Sequence, residues 1–321
     1  MSGRRIVFMC AGQGSQYYMM GKEFYENKAT FRDWMDYGGR LLKPHLGGSL
    51  ADILYRERPD RFAPFDRTRE THPAVFCLNF SVARTLMDEG IRPSCVLGYS
   101  LGELVAWTLA GAVRFEEVLA CVAEMAAKIE ERTPAAAMLA ILGPPEMFES
   151  HRDLFRGTWV ACLNYASNFV IAGSRQDVAR VQGALQPLDV PCQLLPITRG
   201  FHSPLVDPIE VDLKRAVSRL SPGAPRLPVI SCLRAGELAR GDLTPEYCWE
   251  LLRFPVRFSD TVRFMEEQET SVYVDVGPSG TLASFVRNLI GRDGASGAFP
   301  ILTQFGKELK NLEKLKAALA S

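Results

Sequence analysis

The heptapeptide Leu97-Gly98-Tyr99-Ser100-Leu101-Gly102-Glu103 constrains this chain more than any other stretch. It contains G-x-S-x-G, entered from the apolar run Cys95-Val96-Leu97 and followed by a helical pattern from about Leu101 to Gly111. Two glycines let a chain turn sharply from strand to helix, and the turn lifts the Ser100 hydroxyl clear of its neighbours at the helix N-terminus. The pattern predicts a nucleophile elbow in an α/β fold, with Ser100 as candidate nucleophile. The alternative is a structural turn that happens to carry a serine.

At 321 residues the chain exceeds one typical core, which predicts a large α/β unit with a smaller second one. Lysine plus arginine and aspartate plus glutamate both number 37, so charge gives no case for nucleic acid or a membrane surface as partner. No apolar run approaches the ~20 residues of a transmembrane helix. The apolar stretch Ile6 to Ala11 is too short for a signal peptide and runs into Gly12-Gln13-Gly14, so it reads as a first core strand. None of the eight cysteines has zinc-type spacing. Buried free thiols, no metal and a cytoplasmic location are the expectation.

Along the chain, a strand over about Arg5–Cys10 precedes a polar region with helical stretches, Lys22–Asp66. His72-Pro73 then opens a long amphipathic helix to about Glu89, and another helix spans Phe115–Glu131. Between them lie the elbow strand and its helix. The rhythm then changes to strand Ala137–Leu142, helix Pro145–Phe155, strands Thr158–Asn164 and Phe169–Ala172, helix Arg175–Leu185 and strand Cys192–Ile197. This βαββαβ order predicts a ferredoxin-like subdomain over 131–196, inserted into an α/β-hydrolase-like domain with a parallel sheet formed by 1–130 and 197–321. Val229-Ile230-Ser231, Val272–Val276 and Ala298–Leu302 read as further strands, and Lys307–Leu319 as a surface helix.

A serine hydroxyl is a weak nucleophile without a base. Of the four histidines, His45 lies in a polar loop, His151 among charges, and His72 beside a proline at the start of a helix. His202, in Arg199-Gly200-Phe201-His202-Ser203-Pro204, follows a strand in a turn of small residues and is the candidate base. The oxyanion of acyl chemistry needs N–H donors, one of them from the residue after the nucleophile, Leu101. The Gly12–Gln16 loop is the natural second source, because glycines let backbone amides approach a substrate. It is not a dinucleotide loop, since Tyr17 stands where G-x-G-x-x-G requires glycine.

These pieces together resemble the malonyl-CoA:acyl carrier protein transacylase family, the acyltransferases of fatty acid and polyketide synthases. The resemblance runs through Gly12-Gln13-Gly14-Ser15-Gln16, Gly98–Glu103, Phe201-His202-Ser203-Pro204 and Val276-Gly277-Pro278-Ser279-Gly280. It implies a Ser100–His202 dyad, an acyl-Ser100 ester made from a thioester, oxyanion N–H groups from Gln13 and Leu101, and a histidine held by main-chain carbonyls. The departures from the family pattern concern the substrate. Met125 stands where family transferases carry the arginine that grips a malonyl carboxylate, and Lys128, three residues on, is a poor substitute. Tyr99 replaces a histidine, Arg199-Gly200 replaces other pairs, and Leu251 replaces an amide side chain.

Gln16–Glu23, Phe31–Met35 and Phe65–Thr68 look like one subgroup, the freestanding acyl hydrolases of trans-acyltransferase polyketide synthases. The resemblance implies an acyl-[acyl carrier protein] hydrolase that clears stalled chains, a proofreading role. It further implies a monomer that needs no cofactor beyond the phosphopantetheine arm of its carrier-protein partner. Acyl transfer between thiols, of an uncharged or malonyl group, is the alternative, and a docking subunit with a vestigial site is a third reading. Met125, Tyr99, Arg199, Phe201 and Asn164 are the candidate substrate-binding residues. Arg287, on the helix after Gly280, is the candidate contact for an acidic carrier helix.

Overall fold

The computed structural model describes residues 4–56, 63–291 and 294–320. Its strands are β1 (Arg5–Cys10), β2 (Cys95–Gly98), β3 (Ala136–Ile141), β4 (Thr158–Tyr165), β5 (Asn168–Ser174), β6 (Cys192–Leu194), β7 (Val229–Ser231), β8 (Gly236–Glu237), β9 (Ser271–Asp275) and β10 (Gly297–Pro300). The helices before the small sheet are α1 (Lys22–Asn27), α2 (Ala29–Leu46), α3 (Leu50–Tyr55), α4 (Thr68–Asp88), α5 (Gly102–Leu109) and α6 (Phe115–Arg132). They are followed by α7 (Met147–Ser150), α8 (Arg175–Leu185), α9 (Glu210–Val217), α10 (Pro245–Arg253), α11 (Phe258–Glu266), α12 (Thr281–Ile290) and α13 (Glu308–Ala320).

Val7, Phe8, Met9 and Cys10 of β1 are fully buried, as are Val96 and Leu97 of β2 and Tyr273 and Val274 of β9. Strands with no wet face belong inside a parallel sheet covered on both sides. The large sheet has the order β10-β9-β1-β2-β7-β8, parallel throughout except for the β7–β8 hairpin. In the β1–β2 register Cys10 lies opposite Gly98. The loop after β1 and the elbow after β2 therefore leave the sheet side by side, at the carboxyl edge where open α/β sheets bind ligands.

The second sheet is antiparallel, with the order β4-β5-β3-β6. That is the ferredoxin-like arrangement, so the fold is the mixed α/β architecture that the sequence pattern implies. The small sheet meets the rest of the chain through an isolated bridge between Cys162 of β4 and Val256, in the link between α10 and α11.

Three local expectations need correction. The helix expected over Pro145–Phe155 is one turn, Met147–Ser150, with no buried residue. Met147, Phe148 and Leu154 pack against the small-sheet core and Phe155 is buried in it, and turns rather than further helix carry the chain to Thr158. The helix expected to open at His72-Pro73 begins at Thr68, which moves His72 into its second turn. Sixteen residues of α4 are buried, so core packing holds the helix despite the internal proline. In the Lys22–Asp66 region α1, α2 and α3 are present, while residues 57–62 lie outside the described residues. All eight cysteines are free and all but Cys192 are buried, as expected.

Candidate active site

The elbow is tighter than its motif suggests. A methyl group on Gly102 would sit 1.9 Å from the Cys10 carbonyl oxygen, and one on Gly98 would sit 2.2 Å from the Glu103 Cα. Neither glycine has positive φ; the sharp turn is made by Ser100 itself, at φ 54. The two glycines thus serve close approach, and the strained left-handed conformation falls on the serine, at a cost of about 1–3 kcal/mol. Main-chain bonds hold it there: Tyr99 N–H donates to Cys10 O (3.0 Å) and Glu103 N–H to Ser100 O (2.8 Å). Gly102→Ala is expected to cost more than about 4 kcal/mol, because backbone atoms must move. Gly183→Ala, on α8 with open space around the added methyl, is the control and should stabilise by about 0.5–1 kcal/mol. Urea unfolding midpoints check both.

Ser100 Oγ lies 2.8 Å from His202 Nε2. His202 Nδ1 lies 2.8 Å from the Phe254 carbonyl oxygen, and the His202 N–H donates to Leu252 O at 3.0 Å. A carbonyl only accepts, so Nδ1 carries the proton and Nε2 is left to accept from the serine hydroxyl. The main chain does the orienting, and Leu251, which lines the chamber, takes no part in it. His202 also has positive φ (59). Burial pushes its pKa down to about 4, against a smaller upward pull from the Phe254 carbonyl. The imidazole is therefore neutral at pH 7, the state a proton acceptor needs.

The Gly12–Gln16 loop lies on the elbow, since a methyl on Gly12 would be 3.1 Å from Ser100 Cβ and 2.8 Å from the Tyr99 carbonyl. Among the described residues no protein group accepts from the N–H of Gln13 or Leu101. Two free amides near a half-buried hydroxyl are an arrangement that can stabilise an oxyanion. The loop is clamped from elsewhere. Asn79 on α4 accepts from Ala11 N–H (2.8 Å) and donates to Ala11 O (3.3 Å). Gln16 accepts from Gly14 N–H and donates to Phe65 O and Pro196 O. Motif reading missed Asn79; a helix started at Thr68 puts it on the same buried face as Thr68, Thr71 and Val75, the available signal.

The buried Glu103 carboxyl of the elbow helix receives the Tyr247 hydroxyl at Oε1 and packs beside Ser231 and the Cys232 main chain. Burial pushes Glu103 well above the usual carboxylate range, against smaller downward pulls from Ser231 and the Cys232 main chain.

Ser100 and His202 open into one cavity of about 510 Å³, within the usual range for small-molecule sites. Tyr99, Met125, Asn164 and Phe201 line it, as does His72. The Tyr99 hydroxyl donates to Asn164 Oδ1 (2.9 Å), and Asn164 donates to Asn168 (2.7 Å), linking the elbow to the small sheet. No lysine, arginine, aspartate or glutamate among the described residues lines the cavity. Lys128 is not on its wall; its ammonium sits 3.4 Å from Glu131.

One expected substrate contact is placed elsewhere. Arg199 does not line the cavity: its guanidinium donates to the Glu130 and Thr198 carbonyls. Arg287 is exposed, with Nε and Nη2 both donating to Ala298 O. The three cysteines on the cavity wall are not rival nucleophiles. Burial pushes the Cys121 and Cys162 thiols up to about 12 and Cys248 well above its ordinary value.

Comparison with known proteins agrees with this geometry. The chain is 37% identical over 316 residues to the polyketide biosynthesis acyltransferase homolog BaeD of Bacillus velezensis, covering 98% of this chain and 97% of that one. It is also 37% identical to the acyltransferase homolog PksD of Bacillus subtilis, covering 97% and 95%. The fold matches a loading acyltransferase from the avermectin modular polyketide synthase with a TM-score of 0.89, at 23% identity over 98% of this chain and all of that one. The sequence profile of the acyl transferase domain matches residues 7–319, nearly end to end. The chain belongs to the acyl transferase domain family.

Proposed function

We propose that this protein is an acyl-thioester hydrolase that removes uncharged acyl groups from carrier proteins of a polyketide synthase, through an acyl-Ser100 intermediate. Ser100 Oγ attacks the thioester carbonyl while its proton passes to His202 Nε2. The C–S bond breaks, and the imidazolium returns that proton to the departing thiolate of the phosphopantetheine arm. Water then attacks the ester, giving a proton to Nε2; the C–O bond breaks and Ser100 is reprotonated as the acid leaves. The N–H groups of Gln13 and Leu101 hold the carbonyl oxygen in both tetrahedral intermediates. No cofactor of the protein's own enters these steps.

The observation that carries the reading is the uncharged chamber around the Ser100–His202 pair, with Met125 on its wall. A carboxylate buried there would lack a cationic partner, a penalty of roughly 3–5 kcal/mol, whereas an aliphatic chain meets apolar surface. Proofreading suits such a chamber, because a clearing enzyme must spare the malonyl extender. Arg287, on the helix whose Leu282 and Phe285 line the chamber, is the residue assigned to the carrier surface. The protein is expected to work as a cytoplasmic monomer. Among the described residues no helix is long and apolar enough to cross a membrane.

Acyl transfer is the second reading, favoured by the names of the relatives BaeD and PksD. Both readings share acyl-Ser100 and differ in whether water or a thiol removes the acyl group. A carrier protein loaded with butyryl, followed by mass spectrometry with and without a second holo-carrier, separates them. Prompt release of butyrate supports hydrolysis; butyryl appearing on the second carrier in place of free acid rejects it.

The pH profile of hydrolysis tests the base. His202 works when neutral, so kcat/KM should fall only as pH drops through about 4 and stay level from pH 5.5 to 8. Because the folded pKa is below the ~6.5 of an unfolded histidine, folding stability from this residue also declines as pH falls from about 6.5 toward 4. Rates are therefore read in short assays with folding monitored by circular dichroism. An acid limb centred near 6.5 would mean a base exposed to solvent.

A further inference from the structure

The turn between β10 and α13 presents a surface that the chemistry above does not use. Of the described residues that line the chamber, only Leu142, Gln193 and Gln304 are exposed, so they mark its opening. Gln304 belongs to a turn over residues 303–306. Beside it Phe305 is 87% exposed, more than any other large apolar side chain among the described residues. The turn is well held. Gly306 N–H donates to Thr303 O (3.1 Å) and Thr303 Oγ1 donates to Gly306 O (2.9 Å). The Tyr17 hydroxyl reaches both Thr303 O (2.7 Å) and Pro278 O (3.0 Å), which ties the turn to the loop before α12. Lys307 then takes a positive φ of 73, a strained conformation that persists only where neighbouring bonds enforce it.

Lys307, just before α13, and Lys310 and Lys314 on it are all exposed. Positions three and four apart share one helix face, so the three ammonium groups form a stripe about 10 Å long at ~1.5 Å per residue. The opposite face, with Leu312 and Leu315, is buried. Among the described residues none of the three lysines has a carboxylate partner, whereas Lys316 pairs with Glu89 and Glu313. The acids of α13 do not offset the stripe, since Glu308 is buried and Glu313 is taken by Lys316. Arg287 adds a further cation against Ala298 of β10, the strand that leads into the turn.

Like charges one helical turn apart repel, and a partner with carboxylates at the same spacing relieves that repulsion. An acidic helix has that spacing. The exposed Phe305 ring supplies the apolar centre such an interface needs, with the lysines as its charged rim. The place of the turn on the chamber opening points to a partner that delivers the substrate. We propose that Phe305 and the Lys307, Lys310 and Lys314 stripe dock an acidic helix of the acyl carrier protein, so that its tethered thioester passes Gln304 into the chamber. The inference rests on the acyl-Ser100 reading above and adds the surface that recognises its partner.

The rate of acyl-Ser100 formation is measured by intact-protein mass spectrometry against the concentration of two donors. One is the butyryl thioester of N-acetylcysteamine, which has no protein surface; the other is a butyryl-loaded acyl carrier protein. Wild type should reach its half-maximal rate at a carrier concentration at least about tenfold below that of the small ester. The double variant Lys310→Glu, Lys314→Glu should raise the half-saturating carrier concentration about tenfold, and Phe305→Ser by a similar factor. Neither should change the response to the small ester, which also shows that the variants are folded. At about 1 M salt, where the Debye length is ~3 Å, wild type and the lysine variant should converge. An unchanged carrier response in either variant overturns the surface, as does a wild type that takes the carrier no better than the small ester. Slower acylation by the small ester in Phe305→Ser also overturns it, because the turn then closes the chamber. Sedimentation of the protein alone tests the other occupant: a dimer that the lysine variant dissolves gives the stripe to a second copy and overturns the proposal. No acyl-enzyme with either donor overturns the acyl-Ser100 reading itself.

Discussion

Ser100→Ala should abolish labelling by a fluorophosphonate probe and lower thioester turnover by about 10⁴- to 10⁶-fold. The size of the effect follows from the chamber. Its other candidate nucleophiles, Cys121, Cys162 and Cys248, are buried thiols whose pKa values are pushed upward, so none is a thiolate at pH 7. Among the described residues no other hydroxyl on the cavity wall pairs with an imidazole. His202→Ala should cost nearly as much, and the double variant little more than either single one, since the two residues act as one unit. Mass spectrometry of the labelled protein reads the first outcome. A probe adduct that persists in Ser100→Ala would move the chemistry to another residue and remove the basis for the proposed hydrolysis.

Met125→Arg should raise turnover of malonyl relative to butyryl thioesters by about 10²-fold or more. Met125 is 6% exposed and lines the chamber, so a guanidinium there is held out of bulk water, and among the described residues no acidic side chain on the cavity wall pairs with it. A malonyl carboxylate supplies that partner. The roughly 3–5 kcal/mol penalty for a lone buried charge is removed in the complex, and each 1.4 kcal/mol is a factor of ten. Butyryl turnover should fall at the same time, because the apolar wall that receives its chain is lost. The competition assay uses both thioesters in one vessel. An unchanged ratio would mean that residue 125 does not contact the acyl group.

Much of this architecture was legible because it is written in local periodicity. β1 and the elbow strand are apolar runs, and the strands of the small sheet alternate with polar turns, so their positions fall within a few residues of expectation. The exceptions are instructive. Pro145–Phe155 has helix-compatible residues, and several of them reach the small-sheet core, yet only Met147–Ser150 is helical and turns seat the buried Phe155. His72-Pro73 carries a helix-start signal that the buried face of α4 overrides. The elbow glycines were legible as needed, although the reason differs: they make room for Cys10 and Glu103, and Ser100 takes the positive φ.

Residue types and their short-range order pointed to the candidate nucleophile, its candidate base and the two-sheet architecture, while the family resemblance marked position 125 as lacking an arginine. Those properties depend on covalent geometry and on side-chain spacing within one strand or helix. The three-dimensional packing alone decided that His202 carries its proton on Nδ1, that Asn79 grips Ala11 and that His72 lines the chamber. It also turned Arg199 and Lys128 away from the chamber. Each of those outcomes rests on contacts between distant segments, 102 residues apart for Ser100 and His202 and 68 for Ala11 and Asn79. The energy of such contacts appears only when the sheet register brings the segments together, so no local pattern in the chain encodes it.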